Sequence, residues 1–244
     1  MTNIVVLNSD AHRDLRVDPR PSEAHGDNVG MVGVVPREFA RLVVHYPIFL
    51  RRTPVPENEL GDGFECGVVL GFGNEENLFL DGDHWDALYV PLNIQRQPFA
   101  VTGREGDPAA DLSVTVDLDS PRVVERGGEA LFLADGQPSD YLQRLTAGLN
   151  ELVQGTRIGL EYTAKLNQLG LIEPVRIDAT FADGSQVKLE GLHSISRDKL
   201  QGLSARKLAD LRDAGYLELI YFQLASLGQM NALIARKNRR LAGA

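Results

Sequence analysis

Two histidines and an aspartate form the most specific chemical pattern in the sequence. His84-x-Asp86 lies in a polar Asp-Gly-Asp turn, and His193 lies much further along the chain, in a predicted strand end that reads Leu-His-Ser-Ile. Two histidines and one carboxylate make up the facial triad of non-haem Fe(II) oxygenases, which leaves metal positions open for a co-substrate and oxygen. Arg197 would then pair with a carboxylate of 2-oxoglutarate through its planar guanidinium. Ordinary turn chemistry and a structural histidine explain the same residues, so the Fe(II)/2-oxoglutarate site is an alternative hypothesis.

Glu38 and His45 form a second candidate pair. They lie seven residues apart on or near one short helix, a spacing that places them on the same side of it. A glutamate beside a histidine can do general acid–base work. The same pair can also tie a helix end to a sheet, and we favour that structural interpretation.

The stretch from Asn74 to Phe99 combines the only tryptophan with prolines and many polar side chains. Its aromatic and arginine residues are of the types enriched at binding hot spots. A buried sheet corner would have the same composition, because exposure cannot be read from sequence. The candidate ligand- or partner-binding residues in this stretch are Glu76, Asn77, Trp85, Tyr89 and Arg96, to which Glu38 and His45 are added.

Composition narrows the class of protein. The 244 residues carry a net charge of −9, which argues against nucleic-acid binding, because that binding depends on clustered Lys and Arg. The single cysteine, Cys66, excludes an intrachain disulfide and lies in an apolar run typical of a buried strand. No run approaches the roughly 20 apolar residues of a membrane span, and the N-terminus lacks the pattern of a signal peptide. We therefore expect a cytoplasmic protein, with a cell-surface location as the alternative.

Hydrophobic periodicity predicts an α+β fold, mainly antiparallel β in the first half and helices with one β-hairpin in the second. Short strands with Gly-rich turns are predicted between Ile4 and Leu133, and one of them runs from Trp85 to Val90. After Pro138, helical spacing predicts one helix that ends at Gly155 and another from Thr156 to Gly170. Alternation around Asp183-Gly184 predicts the hairpin, and a single long amphipathic helix is predicted after Gly215.

The domain organisation is predicted to be simple. Residues 1–30 contain two prolines, several charges and Gly26, Asp27, Asn28 and Gly30, a composition typical of an extended arm. No repeat or interdomain linker follows. The sequence therefore predicts an N-terminal arm at 1–30 and a single α+β domain at 31–244.

The ordered set of short motifs resembles the SapC-like family of bacterial proteins. Each motif is weak alone, whereas the set over residues 31–230 is fairly specific. The motifs are Glu38-Phe39-Ala40, His45-Tyr46-Pro47-Ile48, Glu76-Asn77-Leu78-Phe79, Trp85-x-x-x-Tyr89-Val90-Pro91, Arg96-x-Pro98-Phe99, Leu131-Phe132 with Gly136-x-Pro138, Gly215-Tyr216-Leu217-Glu218-Leu219-Ile220 and Ser226-Leu227-x-Gln229.

The resemblance implies a family named after a surface-layer gene locus, with no firmly established activity. Its members are often encoded near halogenase-like flavoproteins, cupin-like oxygenases and outer-membrane receptors, a context that suggests an accessory role. The family more usually has two consecutive arginines before the Pro-Phe pair. Gln95-Arg96-Gln97 provides only one here, which puts a double-arginine anion site in doubt.

Three functions follow from these patterns as hypotheses. The first is a non-catalytic or accessory binding protein of a bacterial uptake or surface-associated pathway, which recognises a small molecule, a peptide or a partner protein through an aromatic–arginine surface. The second is the Fe(II)/2-oxoglutarate-type oxygenase. The third is a self-assembling surface-layer component, and a homodimer is compatible with each of them. The first hypothesis is preferred, and it requires no cofactor.

Overall fold

The computed structural model of the protein describes residues 3–53, 63–103 and 112–243. The described residues group into two compact units. The first unit comprises the described parts of Met1–Asp27, Leu80–Asp86 and Leu92–Gln154, and the second those of Asn28–Phe79, Ala87–Pro91 and Gly155–Ala244. The predicted boundaries, an arm at 1–30 and one domain at 31–244, stay a prediction.

Short strands and helical segments build the first unit. Its strands are β1 (Ile4–Val6), β2 (Arg16–Val17), β6 (Leu80–Asp81), β7 (His84–Trp85), β8 (Phe99–Thr102), β9 (Ser113–Asp117), β10 (Val123–Val124) and β11 (Glu129–Ala130). Its helical segments are a 3-10 turn (Glu23–His25), α2 (Leu92–Gln95) and the first part of α3 (Asp140–Gln168). Antiparallel pairing gives the sheet orders β1-β9-β8, β10-β2-β11 and β6-β7.

Apolar side chains from these strands pack against the first part of α3. The buried cluster consists of Val17, Phe99, Val116, Leu131, Leu142, Leu145 and Leu149. Val17 belongs to the predicted arm and is fully buried. Val17 lies in β2, which pairs with both β10 and β11. The described residues of the predicted arm up to Asp27 therefore belong to the first unit.

One larger antiparallel sheet and several helices build the second unit. Its strands are β3 (Met31–Gly33), β4 (Ile48–Thr53), β5 (Gly63–Val69), β12 (Ile172–Thr180) and β13 (Gln186–Ile195), in the order β12-β13-β4-β5-β3. Its helices are a 3-10 turn (Pro36–Glu38), α1 (Phe39–Leu42), the last part of α3, α4 (Arg197–Gln201), α5 (Ala205–Asp213), α6 (Tyr216–Ser226) and α7 (Gln229–Ala242). The α+β class predicted from the sequence is confirmed, and so is the hairpin around Asp183-Gly184.

Helix α3 corrects the prediction of two helices separated at Gly155. The helix continues through this glycine, and the backbone at Gly155 lies close to Val35. A Cβ atom added to Gly155 would lie 2.5 Å from Cγ2 of Val35, closer than real Cβ contacts. The glycine serves the close approach of two chain segments and not the end of a helix.

The prediction of one long helix after Gly215 is also wrong, because α6 ends at Ser226 and α7 starts at Gln229. Ser226 is fully buried, and its hydroxyl accepts a hydrogen bond from the backbone N–H of Ile48 at 2.9 Å. The same hydroxyl donates to the carbonyl of Gln223 at 2.6 Å. Gly228, a poor helix former, lies between the two helices.

Candidate functional site

The stretch from Asn74 to Phe99, which the sequence marks as a recognition region, is divided between the two units. Asn74–Phe79 and Ala87–Pro91 belong to the second unit, and Leu80–Asp86 and Leu92–Phe99 belong to the first. The predicted binding residues are therefore divided between the units. Trp85 and Arg96 belong to the first unit, and the second contains Glu38, His45, Glu76, Asn77 and Tyr89.

Trp85 lies in the first unit, in the short hairpin of β6 and β7. It pairs with Leu80, Asp81 pairs with His84, and Gly82 makes the turn with a φ of +62°. Of the strand predicted from Trp85 to Val90, only Trp85 is in β-structure. The tryptophan is 6% exposed. Trp85 is therefore a packed side chain of the hairpin, as in the buried-corner interpretation.

Arg96, also in the first unit, shapes the turn between α2 and β8. Its Nε donates to Oδ1 of Asn93 at 2.7 Å, and one terminal nitrogen donates to the carbonyl oxygen of Phe99 at 2.7 Å. Burial lowers the pKa of the guanidinium from its ordinary value. Two of its donor groups thus serve the local backbone and side-chain structure, as in the buried-corner interpretation.

Glu76 and Asn77 lie in the second unit, in a loop that we call the 72–79 loop. Asn77 is fully buried, its backbone N–H donates to Oδ1 of Asn28 at 2.8 Å, and its own Oδ1 accepts from the N–H of Phe79 at 3.0 Å. A carboxylate oxygen of Glu76 accepts from the N–H of Phe72 at 2.8 Å. Both residues therefore hold the loop together, and Asn77 is not available to an external ligand.

Helix α7 fastens the 72–79 loop with three cations. Lys237 forms an ion pair with Glu76, and Arg240 donates to the carbonyl of Asn77 at 3.1 Å. The guanidinium carbon of Arg236 lies 4.3 Å from the ring centre of Phe79, a cation–π contact. These basic residues lie towards the C-terminus of α7, where cations complement the helix dipole. They also bind a distant loop.

Tyr89 is the centre of a hydrogen-bonded network within the second unit. Its hydroxyl donates to a carboxylate oxygen of Glu38 at 2.9 Å, and its backbone carbonyl accepts from the hydroxyl of Tyr46. Glu38 is fully buried, and its other oxygen accepts from the backbone N–H of Val35 at 2.9 Å. The guanidinium carbon of Arg41 lies 4.5 Å from the ring centre of Tyr89. Tyr89 is thus held at its hydroxyl, its ring and its backbone.

His45 lies at the C-terminal side of the same short helix. Its ring packs edge-on against Tyr46, with ring centroids 5.9 Å apart. Glu38 is a hydrogen-bond partner of Tyr89, and Tyr46 bonds the backbone of the same residue. These contacts fit the structural role that we favoured for Glu38 and His45.

Two exposed apolar residues that directly precede His45 and Tyr89 in the sequence were missed by sequence reasoning. Leu88 is 95% exposed, although it directly precedes Tyr89, and Val44 is 60% exposed, directly before His45. The sequence signal was hidden because a predicted strand from Trp85 to Val90 would have buried alternate apolar residues. We call the group of Arg41, Val44, Leu88 and Tyr89 the Tyr89 surface.

The predicted metal ligands belong to different units. His84 and Asp86 are exposed in the first unit, whereas His193 lies on β13 in the second, edge-on to Phe64 with ring centroids 5.1 Å apart. Arg197, the proposed 2-oxoglutarate partner, is exposed at the start of α4. Within residues 3–53, 63–103 and 112–243, no group of three or more His, Cys, Asp or Glu side chains could hold a metal ion. The geometry gives the oxygenase alternative no support.

Arg122 is the main residue of the first unit that sequence reasoning missed. Its guanidinium forms an ion pair with Asp27, and both side chains are only 2% exposed. The same guanidinium donates to the carbonyl oxygens of Asp18 and Arg20 at 3.1 and 3.0 Å. A buried arginine with these partners fastens the segment from Asp18 to Asp27, here called the 18–27 segment. Its place in sequence, Ser-Pro-Arg before two valines, gives no signal of burial.

The first unit also contains an open groove of about 580 Å³ between β-structure and α3. Leu7 and Val114 line one side, and Leu142 and Thr146 line the other. Its remaining lining residues are Ser9, Phe132, Gly136, Pro138 and Gln143. The lining is mostly apolar and includes no ionisable side chain.

The comparisons with known proteins place these features in a family. No helix within the described ranges combines the length and apolar character that a membrane span requires. No curated protein and no solved structure matches the chain. The SapC family model matches residues 7–233, which is most of the 244-residue chain. The matched range includes both the Tyr89 network and the 72–79 loop, and the chain belongs to the SapC family.

Proposed function

We propose that this protein is a non-catalytic accessory binding protein of a bacterial uptake or surface-associated pathway. It recognises a partner protein or peptide through the Tyr89 surface of the second unit. Membership of the SapC family is compatible with this role, and the proposed recognition residues lie within the matched range.

One observation carries the proposal. Leu88 is 95% exposed, yet it directly precedes a tyrosine fixed by Glu38, Tyr46 and Arg41. An apolar side chain on a rigid support loses little conformational freedom when a partner covers it, which is a property of binding hot spots.

The composition of the surface indicates the chemistry of its partner. Leu88 and Val44 offer apolar area, Tyr89 offers part of an aromatic ring, and Arg41 adds a cation stacked on that ring. Tyrosine and arginine are enriched at the energetic centres of interfaces. We therefore expect a protein or peptide partner that brings an apolar side chain to Leu88.

The test is native mass spectrometry of the protein purified gently from its host without chelator. Wild type is expected to carry a bound partner, and Leu88→Ser is expected to lose it. The matched control is Leu160→Ser, since Leu160 is 62% exposed on α3, away in sequence from the proposed surface. Circular dichroism would check that both variants keep the fold.

Three outcomes contradict the proposal. The protein carries no bound species, or Leu88→Ser retains its partner as well as the control does, or both leucine variants lose it equally. An added mass of iron that disappears in His193→Ala would favour the oxygenase alternative instead. A partner lost only in Leu88→Ser supports the proposal and identifies the molecule to use in direct titrations.

A further inference from the structure

The backbone N–H and C=O groups of successive residues in β1 point alternately towards β9 and towards the outer edge of the sheet. The backbone N–H of Leu7 donates to the carbonyl of Val114, and that of Leu118 donates to the carbonyl of Asn3. In an antiparallel pair, residues alternate between facing the partner strand and facing away from it. Residues 3, 5 and 7 therefore bond to β9, and the N–H and C=O groups of Ile4 and Val6 point outward.

Nothing in the described part of the chain meets these outward groups. β1 is an outermost strand of its sheet, and no described residue forms a hydrogen bond to the outer edge of Ile4 or Val6. Their side chains are 59% and 55% exposed. The strand thus offers an open backbone edge flanked by β-branched apolar side chains.

Two other described sheet edges carry protective features. At β8, the opposite edge of the same sheet, Arg96 donates to the carbonyl of Phe99 and accepts from its N–H through its own carbonyl. At β12 in the second unit, the edge carries Pro174, Arg176 and Asp178, and the pairing is irregular between Val175 and Ile177. Proline, charged side chains and bulges prevent unwanted edge pairing. β1 has none of these devices.

The charge distribution favours a second copy of this chain as the occupant of the β1 edge. The chain has a net charge of −9, so two copies repel each other on average. Residues 1–9 contain no charged side chain, and Asp10 is the first. The neutral strand Ile4–Val6 is therefore a place where two copies can approach without that repulsion.

We propose that β1 pairs with β1 of a second copy in an antiparallel, two-fold symmetric dimer. The two-fold axis passes through Val5, so that Ile4 of one copy lies opposite Val6 of the other. Each such pair exchanges both of its N–H···O=C bonds, and the two β-branched side chains lie on the same face. The interface is self-complementary, as two-fold symmetry requires, and joins two three-stranded sheets into one.

The size of the contact predicts how strong the dimer is. Pairing along one short strand buries less than the roughly 1,600 Å² of a standard interface, and it falls in the class below about 1,200 Å² that forms reversibly. The groove beside Leu7 and Val114 and the half-exposed Leu112 and Leu133 extend the apolar area near this edge. We therefore expect a concentration-dependent dimer that dissociates on dilution.

Sedimentation equilibrium of the full chain, over a range of concentrations, tests the dimer. Wild type is expected to gain mass towards the dimer with concentration. Val6→Lys is expected to weaken association by roughly tenfold or more, because it places a charge at both symmetric positions of the open edge. Leu160→Lys is the matched control, since it replaces an apolar residue of 62% exposure elsewhere with the same charge and is expected to change nothing.

Hydrogen exchange of single amides tests the register. The amides of Ile4 and Val6 are expected to gain protection with protein concentration, whereas those of Val5 and Leu7 are protected throughout because they bond to β9. Val6→Pro removes an outward N–H while leaving the bonds to β9, a position that proline tolerates on an edge strand. It is expected to abolish the dimer while the amides of Val5 and Leu7 stay protected, which also shows that the variant folds.

Three results overturn this inference. The first is a monomer at all concentrations with rapid exchange at Ile4 and Val6, and the second is a dimer that persists in both Val6→Lys and Val6→Pro. The third is protection of Ile4 and Val6 only when another protein is added, which assigns the edge to a different partner. Each of these is independent of the Tyr89 surface, because that surface is tested with Leu88→Ser.

Discussion

Each unit fastens one irregular segment with basic side chains, but the two do so differently. In the first unit a single arginine, Arg122, holds the 18–27 segment, and its ion pair with Asp27 is 2% exposed on each side. In the second unit the 72–79 loop is held by three side chains, those of Arg236, Lys237 and Arg240. In the ion pair of Lys237 with Glu76 the two side chains are 23% and 18% exposed.

The difference teaches where each unit is vulnerable. A buried charge that loses its partner stays desolvated and uncompensated, so removing one member costs far more than the pair contributes net. A partly exposed charge regains water when its partner is removed. We therefore expect the first unit to depend on one residue, and the second to lose stability gradually as its cations are replaced.

The largest expected effect is that of Arg122→Met. The change leaves the carboxylate of Asp27 and two backbone carbonyls without this donor, in a place that water reaches poorly. We expect the free energy of unfolding to fall by about 3–5 kcal/mol, as is typical when one partner of a buried ion pair is removed. Urea unfolding followed by circular dichroism measures it.

Two further variants sharpen this measurement. Arg157→Met is the control, because Arg157 is 82% exposed in an ion pair within α3 and is expected to contribute at most about 0.5 kcal/mol. The double variant Arg122→Met/Asp27→Leu is expected to recover part of the loss, since no buried charge then remains. If Arg122→Met were as mild as Arg157→Met, the contrast between the two units would fail.

A smaller effect is expected for Lys237→Met in the second unit. The carboxylate of Glu76 keeps its hydrogen bond from Phe72, and Arg236 and Arg240 still hold the loop. We expect a loss of about 1 kcal/mol, close to that of one typical hydrogen bond, measured by the same unfolding experiment. Replacing Arg236 and Arg240 as well should increase the loss in steps. A single Lys237 variant as damaging as Arg122→Met would show that the fastening is not shared.

The fold was predictable where the pattern of apolar residues over a short stretch determines the structure of that stretch. The hairpin around Asp183-Gly184 followed from alternation and a turn dipeptide, and its Gly184 has the positive φ that such turns need. Gly155 misled the prediction because a glycine that ends a helix and a glycine that admits a close neighbour look alike in sequence. Only the position of Val35 distinguishes them.

The candidate site was predictable in part, for a related reason. Glu38 and Tyr89, two of the candidate residues, are hydrogen-bonded to each other, whereas Asn77 and Trp85 are buried, and burial cannot be read from sequence. Leu88 was overlooked because a single exposed leucine resembles a core residue. Arg122 was overlooked because an isolated arginine is normally exposed, and its partner Asp27 lies 95 residues away.

The smallest effect is expected for Arg20, an exposed arginine of the 18–27 segment that Arg122 fastens. Arg20 is 65% exposed and bonds Asp18, and this side-chain hydrogen bond is the main cause that lowers the pKa of Asp18 from 3.8 to about 2. A lowered pKa in the folded state means that the stabilisation is present above about pH 4 and is lost as the pH falls towards 2. Arg20→Gln should raise the pKa of Asp18 towards its ordinary value, as followed by carboxyl NMR titration, and should change stability at neutral pH only slightly. An unchanged pKa would assign the shift to the backbone N–H of residue 20, which also bonds Asp18.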